Sequence, residues 1–173
     1  MHEEKRVEAE VFEAIVDGAG MRVGIVQARF NAPVCEQLRQ SCLDALGAMG
    51  VSIDDVVVMT VPGALEIPGV LSKLAQTMQF DALIAIGAVI RGETYHFEVV
   101  ANESAAGIRQ VALEFDVPIA NAVLTTDTEQ QAMARAAEKG AEAARVAVEM
   151  AELYAVIDQL DPDDESLDEA AND

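Results

Sequence analysis

The residues best suited to chemistry lie in a short polar turn, residues 91–96, which contains Gly92, Thr94 and His96. The apolar run before it, residues 83–90, has no alternation, which is typical of a strand buried on both faces. Helical sequence follows, and backbone N–H groups at such a strand-to-helix turn bind anions, phosphate above all. Gly92 leaves room for the anion, Thr94 adds a hydroxyl donor, and His96 can transfer protons. This phosphate turn is a candidate active site, unless His96 is only a helix cap or a packing group.

Two further turns follow predicted core strands, at Phe30-Asn31 and at residues 63–66. Because the carboxyl ends of parallel strands meet at one edge of a sheet, we expect both turns to lie beside the phosphate turn. Phe30 would stack on a flat heterocycle there, or it would plug the core beneath its loop. Glu66 would accept hydrogen bonds from a polyol or an amine, or it would only compensate the dipole of its helix. The sequence leaves both alternatives open.

Arg135 and Lys139 lie four residues apart on one face of a predicted helix. With Glu138 and Glu142 beside them, they would form an ordinary solvated face. Alternatively, in a chain with a net charge of −20, they would supply the positive charge that an anionic substrate needs. If the phosphate turn belongs to another subunit, the pair could serve it across an interface.

Strand and helix alternate four times along the chain, which predicts a parallel four-stranded sheet with helices on both faces. The predicted strands span residues 21–27, 55–60, 83–90 and 118–124, and the helices span residues 33–49, the stretch from the 63–66 turn to about residue 77, residues 97–115 and residues 132–157. Thr128 and Gln131 form a capping-box pattern before the last helix, which should be interrupted or bent near Gly140. Residues 9–16 alternate loosely and could form an edge strand that pairs with a neighbouring subunit.

The composition predicts one α/β domain, residues 21–157, between an N-terminal arm, residues 1–20, and an acidic tail, residues 158–173. Hydrophobic residues make up 51% of the chain and aromatic residues only 4%, so the core must be aliphatic. The tail has eight acidic residues and no basic one, which is typical of disorder. The net charge of −12 that remains without the tail argues against nucleic acid or anionic membranes as partners.

The expected compartment is the cytoplasm. No apolar run approaches the ~20 residues that a membrane span needs, and the start of the chain does not resemble a signal peptide. Cys35 and Cys42 lie seven residues apart on one predicted helical face, as reduced core thiols do, and their spacing is not that of a metal site.

Four stretches of the chain, in order and at matching spacing, resemble the lumazine synthase family. They are residues 28–31 (Ala-Arg-Phe-Asn), 61–68 (Val-Pro-Gly-Ala-Leu-Glu-Ile-Pro), 87–97 (Gly-Ala-Val-Ile-Arg-Gly-Glu-Thr-Tyr-His-Phe) and 124–130 (Leu-Thr-Thr-Asp-Thr-Glu-Gln). The resemblance implies a three-layer flavodoxin-like sandwich. It also implies an enzyme that condenses 5-amino-6-(D-ribitylamino)uracil with 3,4-dihydroxy-2-butanone 4-phosphate. The product would be 6,7-dimethyl-8-ribityllumazine, in the penultimate step of riboflavin biosynthesis, with no metal and no organic cofactor.

The resemblance assigns site residues by position. The aminouracil and its ribityl chain would be bound by residues of the first two turns, of the central strand and of a further wall: Phe30, Asn31, Ala64, Leu65, Glu66, Ala88, Val89, Ile90 and Asn121. The butanone phosphate would be bound by Glu93, Thr94, Arg135 and Lys139, the last two from a neighbouring subunit. His96 would be the catalytic proton carrier.

Two positions depart from the family pattern. Asn121 stands where many members have an aromatic residue, so that wall of the pocket would be more polar. Glu93 replaces a small residue, and because its carboxylate would repel phosphate, we expect its backbone N–H to face the ligand and its side chain to turn away. Family members form pentamers or larger shells, so the resemblance also implies self-association, with riboflavin synthase as a candidate partner.

Three rival interpretations remain. The archaeal type of riboflavin synthase shares the fold, but residues 92–97 favour lumazine synthase. A non-catalytic flavin or lumazine carrier, or a shell protein, would need neither His96 nor Arg135. A flavodoxin-type electron carrier would have a Ser/Thr-rich phosphate loop after the first strand, which this chain lacks.

Overall fold

A four-stranded parallel sheet forms the centre of the computed structural model, which describes residue 9 and residues 11–160. In chain order the elements are β1 (Val23–Ala28), α1 (Ala32–Ala48), β2 (Val56–Val61), α2 (Ile67–Gln76), β3 (Ala82–Ile90), α3 (His96–Glu114), β4 (Ile119–Thr126) and α4 (Glu129–Ile157). The strand order is β2-β1-β3-β4. Helices α1 and α4 cover one face of the sheet, and α2 and α3 cover the other. The predicted three-layer flavodoxin-like sandwich is therefore confirmed.

Strand β3 lies in the interior of the sheet, which explains its unbroken apolar sequence. Ile84 pairs with Ile25 of β1 on one side and with Ala120 of β4 on the other. Alternate side chains enter the two layers, so that Ile84 packs with α1 and α4 while Leu83 packs with α2 and α3. Every residue from 82 to 89 is buried. Because β3 is packed on both faces and paired on both edges, the position of its last residue is fixed, and the phosphate turn begins directly after it.

The contact between α1 and α4 depends on a glycine. Gly140 is buried in α4, and a Cβ atom at this position would lie 2.3 Å from the carbonyl oxygen of Leu38 in α1. Helix α4 is continuous from residue 129 to residue 157. Of the two predicted alternatives, an interruption near Gly140 is therefore wrong, and a bend there stays a prediction. The glycine allows two helices to approach closely and does not end one. The predicted capping box is confirmed, because Thr128 and Gln131 make both of its hydrogen bonds.

The Gly140→Ala variant is expected to lose about 3 kcal/mol of folding free energy. The added Cβ atom would collide with a backbone carbonyl of the packed helix α1, which cannot move aside as a side chain could. Urea unfolding measures the loss. Gly47→Ala is the matched control, since Gly47 lies inside α1 and a Cβ atom there would meet nothing within 4 Å. That control should be neutral or stabilised by up to about 1 kcal/mol. Equal stabilities of the two variants would contradict the close helix contact.

The two cysteines are core residues of α1. Cys35 and Cys42 are buried free thiols, as predicted. Burial raises the pKa of Cys35 to about 11 and the pKa of Cys42 to about 12. Both thiols therefore stay protonated at neutral pH, and they serve packing.

The described part of the N-terminal arm, residue 9 and residues 11–20, does not pair with the sheet of its own chain. Residues 11–18 form no strand, and the arm exposes Val11, Phe12 and Ile15 to solvent. Pairing with a neighbouring subunit stays a prediction. Residues 161–173, which make up most of the predicted acidic tail, lie outside the described residues. Residues 1–8 and residue 10 also lie outside them. Within the described part of the chain, no helix combines the length and the apolar character that crossing a membrane requires.

Candidate functional site

A cavity of about 370 Å³ opens at the carboxyl edge of the sheet, and we call it the edge cavity. Its walls come from three strand-to-helix turns, the end of β3 and the start of α3. The lining residues are Ala28, Phe30, Asn31, Gly63, Ala64, Leu65, Glu66, Ala88, Val89, Ile90, Gly92, Thr94, His96, Phe97 and Val100. The structure thus brings together the three turns that the sequence placed at one edge.

The turn after β1 presents Phe30 to the edge cavity. The backbone N–H of Phe30 donates to the carbonyl oxygen of Pro62 at 3.1 Å, and the N–H of Arg29 donates to that of Val61 at 2.8 Å. These bonds continue the pairing of β1 with β2 and hold the turn. Phe30 is 73% exposed, so it does not plug the core beneath its loop. Its ring is a free apolar surface at the cavity.

Asn31 joins this turn to the central strand. Its backbone is left-handed, with φ of 57°, a conformation that asparagine adopts more readily than most residues. Its Nδ2 donates to the carbonyl oxygen of Ala88 in β3 at 2.8 Å. The first turn and the end of β3 therefore form one wall of the edge cavity.

The second turn places Glu66 at the cavity. It consists of Gly63 and a one-turn 3₁₀ helix, Ala64–Glu66, directly before α2. Glu66 occupies the N-cap position of α2, but its side chain accepts no hydrogen bond from that helix. A Cβ atom on Gly63 would lie 3.1 Å from Oε2 of Glu66, so the carboxylate lies close over the turn. The carboxylate oxygens remain available to a ligand in the cavity.

The phosphate turn is exposed along its whole length. Helix α3 begins at His96, and the residue before it supplies no side-chain cap. The backbone N–H of His96 contacts Oγ1 of Thr94 at 3.4 Å, while a Cβ atom on Gly92 would meet nothing within 4 Å. The first N–H groups of a helix have no partner within the helix, and they carry its positive dipole end. The turn and the start of α3 therefore offer donors to an anion beside an imidazole.

The guanidinium of Arg91, the first residue of the phosphate turn, pairs with two carboxylates, and Arg91 is not among the residues that line the edge cavity. Its Nε donates to Oδ1 of Asp127 at 2.8 Å, and its Nη1 forms an ion pair with Glu98. The hydrogen bond from Arg91 lowers the pKa of the Glu98 carboxyl group, and the two carboxylates raise the pKa of Arg91. Among the residues that the structure describes, no lysine or arginine lines the edge cavity.

A second cavity, of about 350 Å³, lies between β4 and α4, and we call it the α4 cavity. Its lining includes Asn121, Arg135 and Lys139. Lys139 is paired with Glu142, with 2.5 Å between Nζ and Oε2, and this hydrogen bond raises the pKa of the lysine. Arg135 donates to the carbonyl oxygen of Gln131 at 3.0 Å, and no salt bridge found within residues 11–160 involves it.

The predicted site residues therefore fall into two groups within one chain. Ten of them line the edge cavity: Phe30, Asn31, Ala64, Leu65, Glu66, Ala88, Val89, Ile90, Thr94 and His96. Asn121, Arg135 and Lys139 line the α4 cavity, and Glu93 lines neither. Asn121 thus lies apart from the other predicted aminouracil residues in the single chain, and its place in their site stays a prediction.

Comparison with known proteins decides the family. The sequence profile of 6,7-dimethyl-8-ribityllumazine synthase matches residues 20–155. Proteins of this name from Burkholderia mallei (strain SAVP1) and Burkholderia pseudomallei (strain K96243) are each 62% identical over 154 residues, which is 89% of this chain and 89% of theirs. The protein of this name from Paraburkholderia phytofirmans is 60% identical over 152 residues, 88% of this chain and 90% of its own.

The chain belongs to the 6,7-dimethyl-8-ribityllumazine synthase family. The resemblance seen in four motifs is confirmed. All four motifs, from residue 28 to residue 130, lie inside the matched region.

Sequence reasoning missed four residues of the edge cavity. Ala28, Gly63, Phe97 and Val100 also line it. Val100 follows His96 by four residues in α3, so a helical wheel drawn from His96 could have found it. Phe97 is the next residue after His96, and helical spacing does not place it on the same face. Gly63 is the close neighbour of Glu66, and only the folded turn reveals that contact.

Proposed function

We propose that this chain catalyses the condensation of 5-amino-6-(D-ribitylamino)uracil with 3,4-dihydroxy-2-butanone 4-phosphate to 6,7-dimethyl-8-ribityllumazine. It is then a transferase of riboflavin biosynthesis. The observation that carries the proposal is the edge cavity of a lumazine synthase family member, which is lined by an exposed aromatic ring, the Glu66 carboxylate, residues of an exposed polar turn and His96.

The aminouracil occupies the part of the edge cavity between the first two turns. Phe30 stacks on the flat ring, because its own ring is exposed at the cavity. The backbone of residues 88–90 borders the ring edge. Glu66 accepts hydrogen bonds from the ribityl hydroxyls, and Ala64 and Leu65 lie along the chain.

The butanone phosphate lies at the phosphate turn, with the N–H groups of the turn and the Oγ1 of Thr94 as donors. Because no described lysine or arginine lines the edge cavity, the negative charge of the phosphate needs a cationic partner from elsewhere. Arg135 of a neighbouring subunit meets this need, since it has no carboxylate partner among the described residues. Lys139 already pairs with Glu142 and contributes less.

A site shared in this way requires self-association, which we place at a pentamer or a larger shell. The α4 cavity of one subunit then faces the edge cavity of the next, and Asn121 reaches the aminouracil from the same neighbour as Arg135. Glu93 turns its side chain away from the phosphate, in agreement with its absence from both cavity linings.

The chemistry needs proton transfers more than any other assistance. The aryl amine attacks the ketone to give an imine with loss of water, phosphate leaves by elimination, and the second amine attacks the remaining carbonyl and closes the ring with loss of a second water. His96 carries protons in these steps, and the cavity holds the two substrates together. No step needs a metal or an organic cofactor. We place the enzyme in the cytoplasm, with riboflavin synthase as the protein that uses its product.

Mixing the protein with both substrates tests the proposal. Green lumazine fluorescence that requires both substrates supports the condensation, and omission of either substrate is the control. Flavin or lumazine binding without product formation would overturn it in favour of the carrier interpretation. Sedimentation measures the assembly separately, and a monomer at working concentration would contradict the shared site.

A further inference from the structure

The side chain of Arg91 connects three groups at the end of β3. Its Nε donates to Asp127 in the turn between β4 and α4, and its Nη1 pairs with Glu98 in the first turn of α3. Its guanidinium carbon lies 4.2 Å from the ring centroid of Phe97, a cation–π distance. The backbone N–H of Arg91 also donates to the carbonyl oxygen of Thr126 at 2.9 Å. We call these contacts the Arg91 clamp.

The clamp holds the beginning of a turn that has little other support. Residues 92–96 are exposed, and Gly92 has open space around it. Within the described chain, the side-chain hydrogen bond of this stretch joins Thr94 and His96 to each other and to no other element. Arg91 therefore ties the phosphate turn to β4 and to α3 at the same time.

The geometry needs the planar fork of arginine. One guanidinium donates from Nε to one carboxylate and from Nη1 to another while its face covers an aromatic ring. A lysine ammonium group is a point charge that would not reproduce all three contacts. Phe97 also lines the edge cavity, so the Arg91 clamp is in direct contact with a residue of the cavity wall.

We propose that Arg91 is a positioning residue, which holds the N–H groups of the phosphate turn and His96 in the geometry that binds the phosphate-bearing substrate. The proposal rests on the proposed function, and it goes beyond it by assigning a role to a residue that does not touch either substrate. Both carboxylates compensate the charge of Arg91, so its contribution is geometric and not a direct charge on the ligand.

The Arg91→Gln variant tests this with two measurements. Calorimetric titration with inorganic phosphate should give an affinity about tenfold weaker than that of the unchanged protein, because misplaced donors bind an anion less well. In the condensation assay the KM for the butanone phosphate should rise about tenfold, and the KM for the aminouracil should stay within about twofold. Arg91→Lys should recover only part of the loss.

Arg22→Gln is the matched control. Arg22 also lies over an aromatic ring, with 5.3 Å to the centroid of Phe80, but it precedes β1 at the opposite edge of the sheet. Its replacement removes the same charge and a similar contact, and should leave phosphate affinity and both KM values unchanged. If the loss came only from removing an arginine–aromatic contact and a positive charge, phosphate affinity would fall by a similar factor in Arg91→Gln and in Arg22→Gln.

Variants that remove one carboxylate partner of Arg91 at a time, which we call single-arm variants, keep the proposal testable if Arg91→Gln does not fold. Asp127→Asn and Glu98→Gln should each weaken phosphate binding, and adding Asp127→Asn to Arg91→Gln should cause little further loss. Phosphate affinity that is unchanged in Arg91→Gln, or in both single-arm variants, would overturn the clamp. So would an equal rise in both KM values. If the unchanged protein makes no lumazine, the proposed function fails, whereas the phosphate titrations still decide the clamp.

Discussion

Replacing His96 by alanine is expected to lower kcat by about 10²–10⁴-fold and to leave measurable condensation. His96 lies at the first position of α3 and lines the edge cavity, where an imidazole can take and return protons in the condensation and elimination steps. The remaining activity comes from holding both substrates in one cavity, which the variant still does. Stopped-flow fluorescence of the lumazine product measures the change.

Two controls separate proton transfer from binding in this prediction. His96→Gln keeps a hydrogen-bonding side chain at the same position but cannot carry protons at neutral pH, so it should be nearly as slow as His96→Ala. Added imidazole should restore part of the lost rate in the alanine variant. An unchanged kcat in both variants would remove His96 from the mechanism.

The second large effect is expected for Arg135→Ala, which should raise the KM for the butanone phosphate by about ten- to a hundredfold. A hydrogen bond to a charged phosphate is among the stronger ones in proteins, and Arg135 has no carboxylate partner in residues 11–160 to compensate it. The KM for the aminouracil should change little. Arg145→Ala is the matched control, since Arg145 is exposed on the same helix and does not line the α4 cavity. Equal KM values in the two variants would contradict a role for Arg135.

Mixed assemblies test whether Arg135 acts across an interface. If His96→Ala and Arg135→Ala chains are unfolded together and reassembled in equal amounts, about a quarter of the sites should combine an unchanged His96 with an unchanged Arg135 from the neighbour. At butanone phosphate concentrations well below the KM of Arg135→Ala, activity should then exceed that of either variant alone. Absence of any recovery in correctly sized assemblies would place both residues in one chain or remove one from the site.

Local patterns in the sequence carried enough information for the order and type of the main elements. The unbroken apolar run of residues 83–90 predicted β3, because a strand covered on both faces needs apolar side chains in both directions. Thr128 and Gln131 predicted the start of α4, because capping involves residues that are close in sequence. Strand and helix alternation then predicted the parallel sheet, and the sheet predicted that three turns meet at one edge.

Contacts between distant residues needed the tertiary structure. The sequence predicted that Gly140 interrupts or bends its helix, yet the helix is continuous and Gly140 allows α4 to approach Leu38 in α1, a residue far away in the sequence. Phe30 could have been buried or exposed, and only its place at the cavity decided this. Arg91 read as part of a polar turn, and its partner Asp127 lies 36 residues further along the chain.

The sequence by itself determined the family, the sheet and the turns that form the edge cavity, because those follow from local periodicity and from motifs of adjacent residues. The tertiary structure decided that Asn121, Arg135 and Lys139 lie together in a separate cavity, and that the guanidinium of Arg91 pairs with the carboxylates of Glu98 and Asp127. The physical reason is that charge compensation and close packing depend on distances in space between groups that the chain order does not place side by side.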